Sequence, residues 1–259
     1  MKTLITTRYV TPLREGGSLP AIVEASDDGL YVLKLRGAGQ GVKALIAEVI
    51  AAELGRSLGL KVPEPALMEL DAAIGRAEPD EEIRDLLKAS VGTNVALDYL
   101  PGSVMFDPIV GPAPDGATAS RVVWFDAFIT NVDRTAKNPN LLVWHRQLWL
   151  IDHGAALFFH HAWDDALARA KSPFVQIKDH VLLPFATQLQ EEGAAMAARL
   201  TPAMIDAAVT AVPDAWLGNE PQHPTVAAHR EAYRQYFLAR LGAAPIFLAE
   251  CLRARSALV

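Results

Sequence analysis

Asn131-Val132-Asp133-Arg134-Thr135-Ala136-Lys137-Asn138-Pro139-Asn140 runs into Leu141-Leu142-Val143-Trp144, a polar break His145-Arg146-Gln147, a second apolar run Leu148-Trp149-Leu150-Ile151, and Asp152-His153-Gly154. Two short apolar runs around a polar break read as a β-hairpin. A three-residue turn there sets Asp152 roughly opposite Asn140. Strand residues alternate faces, so Asn138 and Asn140 share a side if the chain stays extended through Pro139. With Asp133 just upstream, two carboxylates and one or two carboxamide oxygens gather at the open end of the hairpin. Such an oxygen-only donor set suits a hard cation, Mg²⁺ with phosphates attached.

An Asp, an Asn five residues later and a hairpin ending in Asp-x-Gly resemble the catalytic centre of the protein-kinase-like superfamily. Asn131-Val132 replaces the usual His-Arg, and Arg134 follows the loop Asp. In this the loop is similar to HipA-like kinases and to type II phosphatidylinositol 4-kinases; the HipA-like resemblance extends further along the chain. It implies an α+β, two-lobed fold: a small antiparallel-sheet lobe with one main helix over residues 1–100, and a larger, mostly helical lobe over 101–259. It also implies ATP- and Mg²⁺-dependent transfer of a γ-phosphoryl group to a hydroxyl. Asp133 would accept or orient the acceptor proton and Arg134 would offset negative charge. Asp152 would hold Mg²⁺ with Asn138, or with Asn140 in its place.

The upstream residues fit this frame. Asp28-Gly29 signals a turn, and Tyr31-Val32-Leu33-Lys34-Leu35 alternates like a strand carrying one basic residue. The resemblance makes Lys34 the holder of the α- and β-phosphates. Val42 to Leu58 reads as a helix, entered through Gly37, Gly39 and Gly41 and stopped by Gly59. For the glutamate that pairs with the lysine, periodicity favours Glu53, near the centre of the Ile46, Val49, Ile50 stripe. The family pattern, a helix Glu followed eleven residues later by Gly-Leu and then Pro, favours Glu48, because Gly59-Leu60-Lys61-Val62-Pro63 stands at that distance. On that pattern the partner of Lys34 is Glu48. Gly16-Gly17-Ser18 reads as a hairpin loop whose backbone N–H groups could approach phosphates, and it resembles the serine-containing phosphate loop of HipA-like kinases. That resemblance implies that Ser18 can itself be phosphorylated.

Asp98-Tyr99-Leu100-Pro101-Gly102 follows an apolar strand, and the resemblance makes Leu97, Asp98, Tyr99 and Leu100 the purine-binding stretch. Arg121 to Thr130 reads as a buried helix leading into the Asp133 loop. Beyond Gly154 the sequence is mostly helical: Trp163 to Ala170, Leu183 to Arg199, a helix begun by Thr201-Pro202, Thr225 to Leu241, and Pro245 to Leu258. Further strands are expected at Ala66 to Leu70 and Val95 to Leu97, and the acidic run Glu78 to Asp85 reads as a solvated loop or helix start. His160-His161 with Asp164-Asp165 lacks a second cluster to complete a zinc site.

Composition narrows the partners. The chain has 259 residues, 51% hydrophobic and 21% charged, enough for a sizeable core in each of two lobes. A net charge of −6 argues against general attraction to nucleic acid or to an anionic membrane. No apolar run reaches the roughly 20 residues a spanning helix needs, and Met1 to Leu13 lacks the uninterrupted apolar core of a signal peptide. One cysteine, Cys251, excludes an intrachain disulfide and suits a reducing compartment, so a cytoplasmic protein is expected. The partners expected are ATP and a hydroxyl acceptor. The HipA-like resemblance implies a protein Ser/Thr, and the lipid-kinase resemblance a phosphoinositide, with a small-molecule hydroxyl as the other alternative. A nucleotide-binding pseudokinase acting as an interaction module is the alternative from another class.

Overall fold

Short alternating segments near the N-terminus close on themselves instead of spreading into an open sheet. The computed structural model describes residues 1–13, 19–76, 78–111 and 113–258. Strands β1 (Lys2–Pro12), β2 (Ala21–Ala25), β3 (Leu30–Lys34), β4 (Pro65–Leu70) and β5 (Gly92–Asp98) form a closed barrel in the order β1-β2-β3-β5-β4. The small antiparallel sheet expected from the sequence is thus a barrel, and its seam between β1 and β4 is parallel. The length and irregularity of β1 explain this. Its first half pairs with β4, Lys2 with Ala66 through Ile5 with Glu69, and its second half pairs with β2. Register shifts at Thr6/Arg8 and Tyr9/Thr11 bend the strand between its two partners. Ala21, Ala25, Ala66 and Ala96 keep the interior narrow, and Val23, Tyr31, Leu33 and Met68 fill it.

Two helices accompany the barrel where one main helix was expected. Helix α1 (Val42–Ser57) ends at Gly59, whose φ of +83° only glycine adopts easily. The Gly59 and Leu60 N–H groups return to the Arg56 and Gly55 carbonyls, a Schellman closure. Helix α2 (Glu81–Ala89) occupies the acidic run; the Asp80 carboxylate caps it by accepting from the Glu82 and Ile83 N–H groups. Ile83 and Leu87 of α2 join the barrel core, whereas Leu45, Ile46, Val49, Ile50 and Leu54 of α1 belong to a larger second core.

That core is built mainly on α3 (Gly116–Ile129), α4 (Ala166–Ala170), α5 (Leu189–Arg199), α6 (Pro202–Thr210), α7 (Val226–Gly242) and α8 (Ala244–Ser256). The α3 residues Trp124 and Phe128 stack with ring centroids 5.5 Å apart, and Phe247 of α8 tilts against both. Thr201 and Thr225 cap α6 and α7 through their hydroxyl oxygens. None of the described helices is long and apolar enough to cross a membrane.

β7 (Leu141–Trp144) and β8 (Gln147–Leu150) form the expected hairpin, and β6 (Val104–Met105) adds a third strand beside β7. The turn has two residues, not three: His145 and Arg146 carry φ of +47° and +62°, as a type I′ turn requires. Trp144 therefore pairs with Gln147, and the register runs back to set Asn140 beside Ile151, whose N–H donates to the Asn140 carbonyl at 3.1 Å. Asp152 lies one residue beyond the place expected for it.

Candidate active site

Alternation along β3 decides where its lysine goes. Tyr31 and Leu33 fill the barrel, so Lys34 points outward, with its side chain only 11% exposed. Its Nζ lies 2.7 Å from Asp152 Oδ1 and 3.9 Å from Glu48 Oε2. Burial by itself would lower the ammonium's pKa; Glu48, Asp152 and more distant Asp133 outweigh burial and raise it, so the group stays charged.

Glu48, in the second turn of α1, is buried. Its Oε2 accepts the His153 N–H at 2.8 Å, and its Oε1 accepts from His153 Nδ1 at 3.3 Å. Burial pushes the carboxyl upward, but Lys34 and His153 bring it down to about 2. His153 is fully buried, with its ring edge-on to Phe125 at 6.4 Å. Glu53 lies elsewhere: from Leu45 to Gly55 of α1 every residue is buried except Glu53. The helix is covered almost all round, so the apolar stripe that favoured Glu53 carried little directional information.

Ahead of the hairpin, Asp133 Oδ2 accepts from both carboxamides, from Asn138 Nδ2 at 2.7 Å and from Asn140 Nδ2 at 3.2 Å. Asn138 is exposed; Asn140 is buried, with φ of +48°. Thr135 and Asn138 exchange backbone hydrogen bonds of 3.1 and 3.2 Å that hold the loop's shape. Asp152 also has positive φ, +54°, and its side chain is 39% exposed. Lys34, Glu48, Asp133, Asn138, Asn140 and Asp152 are therefore linked by direct contacts or by the field at the lysine.

Arg134 requires a correction. Expected to offset negative charge developing in the reaction, it is buried, and its Nε lies 2.5 Å from Asp126 Oδ2. Its Nη1 donates to the Asn140 carbonyl and, at 3.3 Å, to the Ile151 carbonyl, so it fastens both ends of the hairpin from beneath. Asp126 on α3 also accepts from Asn131 Nδ2 at 3.1 Å and from His180 Nε2 at 2.8 Å. His180 Nδ1 accepts the Leu182 N–H at 3.0 Å, so the proton resides on Nε2 and the imidazole is neutral. Burial would raise the Asp126 pKa, but Arg134 and His180 hold it far below the usual carboxylate range. Asp126, Asn131 and His180 were missed in the sequence reading. The signal available was the lone carboxylate in the apolar run Trp124 to Ile129.

At the stretch expected to meet a purine, Leu97 and Leu100 are buried, Tyr99 is half-buried and Asp98 exposed. The Asp98 N–H already bonds the Glu64 carbonyl at 3.0 Å and the Tyr99 N–H the Leu30 carbonyl at 3.0 Å. Gly16, Gly17 and Ser18 lie outside the described residues.

The side chains beside Lys34 are oxygen donors, a chemistry suited to a hard cation and not to a soft transition metal. Among the described residues no three His, Cys, Asp or Glu side chains are placed to hold an ion by themselves. Asp152 with a carboxamide oxygen of Asn138 or Asn140 would leave coordination positions for phosphate and water, as Mg²⁺ commonly requires.

The buried groups also set an acid limit on stability. Burial draws His229 down to about 4 and also lowers His180, while Glu48 sits at about 2. Each folded pKa lies below its unfolded value, so each contribution is complete above the unfolded pKa and is lost as pH falls through the folded one. The thermal midpoint should fall from about pH 6.5 to 4 as histidines titrate, and again between about 4.5 and 2. A midpoint constant across that range in scanning calorimetry would refute the assignment.

A model of the HipA-like kinase family matches residues 7–242. No curated protein sequence matches the chain. Among solved structures, the Helicobacter pylori proinflammatory kinase CtkA is similar with a TM-score of 0.60 at 12% identity, over 97% of this chain and 99% of that one. The Golgi casein kinase is similar with a TM-score of 0.52 at 12% identity, over 97% of this chain and 73% of that one. The same kinase with Mn/ADP bound gives a TM-score of 0.50 at 12% identity, over 99% and 75% of the two chains.

Proposed function

The chain belongs to the HipA-like kinase family, and we propose that it transfers the γ-phosphoryl group of ATP to a hydroxyl, that of a protein serine or threonine. The observation that carries this reading is the Lys34 ammonium, set 2.7 Å from Asp152 and 3.9 Å from Glu48 at the edge of the Asp133–Asn138–Asn140 cluster. Phosphoryl transfer needs alignment and charge stabilisation more than covalent help. Lys34 binds the α- and β-phosphates, and Glu48, itself held by His153, keeps the lysine aimed. Asp133 orients the acceptor hydroxyl and takes its proton. Asp152 with Asn138 or Asn140 would hold Mg²⁺, which would neutralise charge on the phosphate oxygens.

In this reading the barrel and α1 form one lobe and the helical remainder a second, dividing near residue 100, with the purine against Leu97–Leu100. The ADP-bound Golgi casein kinase, similar in fold, supports a nucleotide site. The protein acceptor rests on the family.

Calorimetry with ATP, with and without Mg²⁺, tests the site. Binding should require the metal, and Lys34→Met should weaken it by about tenfold or more, from the loss of charge-assisted hydrogen bonds of ~1.5–3 kcal/mol. Glu48 retains its His153 hydrogen bonds in that variant, so the fold should persist. Metal-independent binding, or Lys34→Met altering stability while leaving affinity alone, would overturn the assignment. Incubation with γ-labelled ATP, Mg²⁺ and a protein mixture should label protein Ser/Thr. Binding without transfer would make the chain an interaction module, and label found only on phosphoinositide would move the acceptor to lipid.

A further inference from the structure

Helix α1 starts without a side-chain cap. Gly39 and Gly41 precede it with φ of +50° and +64°; Gly41, at the cap position, offers no side-chain hydrogen bond, and the first turn has no acidic residue. A cation stands there instead. Lys43, the second residue of the helix, sits at the positive end of the helix dipole, where a cation is unfavourable. Its surroundings account for this. Nζ lies 2.6 Å from Glu220 Oε1 and donates to the His160 carbonyl at 2.8 Å.

These two partners come from distant parts of the chain. His160 lies in the 3₁₀ turn Phe158–His161, just past Asp152-His153-Gly154. Glu220 lies between α6 and α7, in a segment bridged by Glu220 and His223 and tied back through Gln222 Nε2 to Asp164 Oδ1 at 2.7 Å. Next along α1, Ala44 faces Gly154, where an added Cβ would lie 3.5 Å from the Ala44 Cβ. Glu48 then takes the His153 N–H. The helix is thus held against residues 153–160 at three points along its first two turns.

We propose that Lys43 is a positioning residue: clamped to Glu220 and to the His160 carbonyl, it sets where α1 lies and so brings Glu48 to Lys34 and His153. The inference deepens the phosphotransfer reading and rests on it for its functional consequence. The core packing of α1 begins at Leu45, so the clamp acts on the turn ahead of it, where Gly41 provides no side-chain cap. An uncapped first turn frays unless a tertiary contact holds it. The ion pair is partly buried, at 28% and 19% side-chain exposure, so it is less screened than an exposed one.

The test compares Lys43→Met, Glu220→Gln, their double variant and Lys43→Arg with the parent. Three readouts are needed: the Kd for ATP with Mg²⁺, the turnover rate, and hydrogen exchange of the α1 first-turn amides and of the His153 N–H. Each single loss variant should raise Kd by about tenfold, or ~1.4 kcal/mol, and speed exchange at His153 while the far-UV spectrum stays unchanged. The double variant should be no worse than the singles, because all remove the same tie. Lys43→Arg should recover most of the loss. Unchanged exchange at His153 in Lys43→Met, or additive losses in the double variant, would overturn the clamp. If the parent neither binds ATP nor transfers phosphate, the phosphotransfer reading falls and exchange at His153 still decides the clamp.

Discussion

Asp133→Ala is expected to slow phosphoryl transfer by about 10²–10⁴-fold, the usual contribution of a positioned proton acceptor, while leaving the protein folded. Asp133 is half-buried, and the hydrogen bonds to its carboxylate come from two neutral carboxamides, so its loss strands no buried charge. ATP affinity should change little, because in the proposed arrangement Asp133 serves the acceptor and not the nucleotide. Steady-state kinetics with γ-labelled ATP, alongside calorimetry, separates the effects. A turnover within threefold of the parent would remove Asp133 from the reaction. Asn138→Ala and Asn140→Ala refine the picture. Asn138 is exposed and makes the shorter contact to Asp133, so its loss should act on turnover alone. Asn140 is buried with positive φ, so its loss should also lower stability. A larger drop in turnover for Asn140→Ala, with stability unchanged, would make Asn140 the metal ligand.

The hairpin, α1 and the order of the polar residues were legible because each depends on local signals: alternation, helix formers, a stop glycine and fixed spacings. The sequence did not disclose the closure of the barrel. Closure depends on β1 pairing in parallel with a strand more than fifty residues away, and period-2 alternation does not encode the partner. The hairpin turn was misjudged by one residue because His145 and Arg146 adopt left-handed conformations usually reserved for Asn and Gly, which shifted Asp152 relative to Asn140. Arg134 was misplaced for a related reason. Its position beside the loop Asp suggested a role toward negative charge in the site, whereas its carboxylate partner lies eight residues earlier, alone in the apolar run Trp124 to Ile129. The same limit hid the Lys43 contacts, whose partners lie 117 residues away at His160 and farther at Glu220.

Asp126→Ala is expected to destabilise the fold by about 3–5 kcal/mol, the range for breaking a buried ion pair from one side. The variant would leave the Arg134 guanidinium in the core, with carbonyls but no carboxylate to balance it, and would strip acceptors from the side chains of His180 and Asn131. Arg134→Met should cost a similar amount by stranding the Asp126 carboxylate and freeing the carbonyls of Asn140 and Ile151. Replacing both partners removes both charges together. Asp126→Leu with Arg134→Met should therefore lose much less than the sum of the two single changes, although His180 Nε2–H and Asn131 Nδ2 remain to be satisfied. Urea unfolding followed by circular dichroism measures each term. A single-variant loss below about 1 kcal/mol, or strict additivity, would show that the network is not a buried charge pair in solution. Function should follow the same geometry. Arg134 holds the residues just before β7 and just after β8, next to Asn140 and Asp152, so the double variant should regain stability without regaining the parent's turnover.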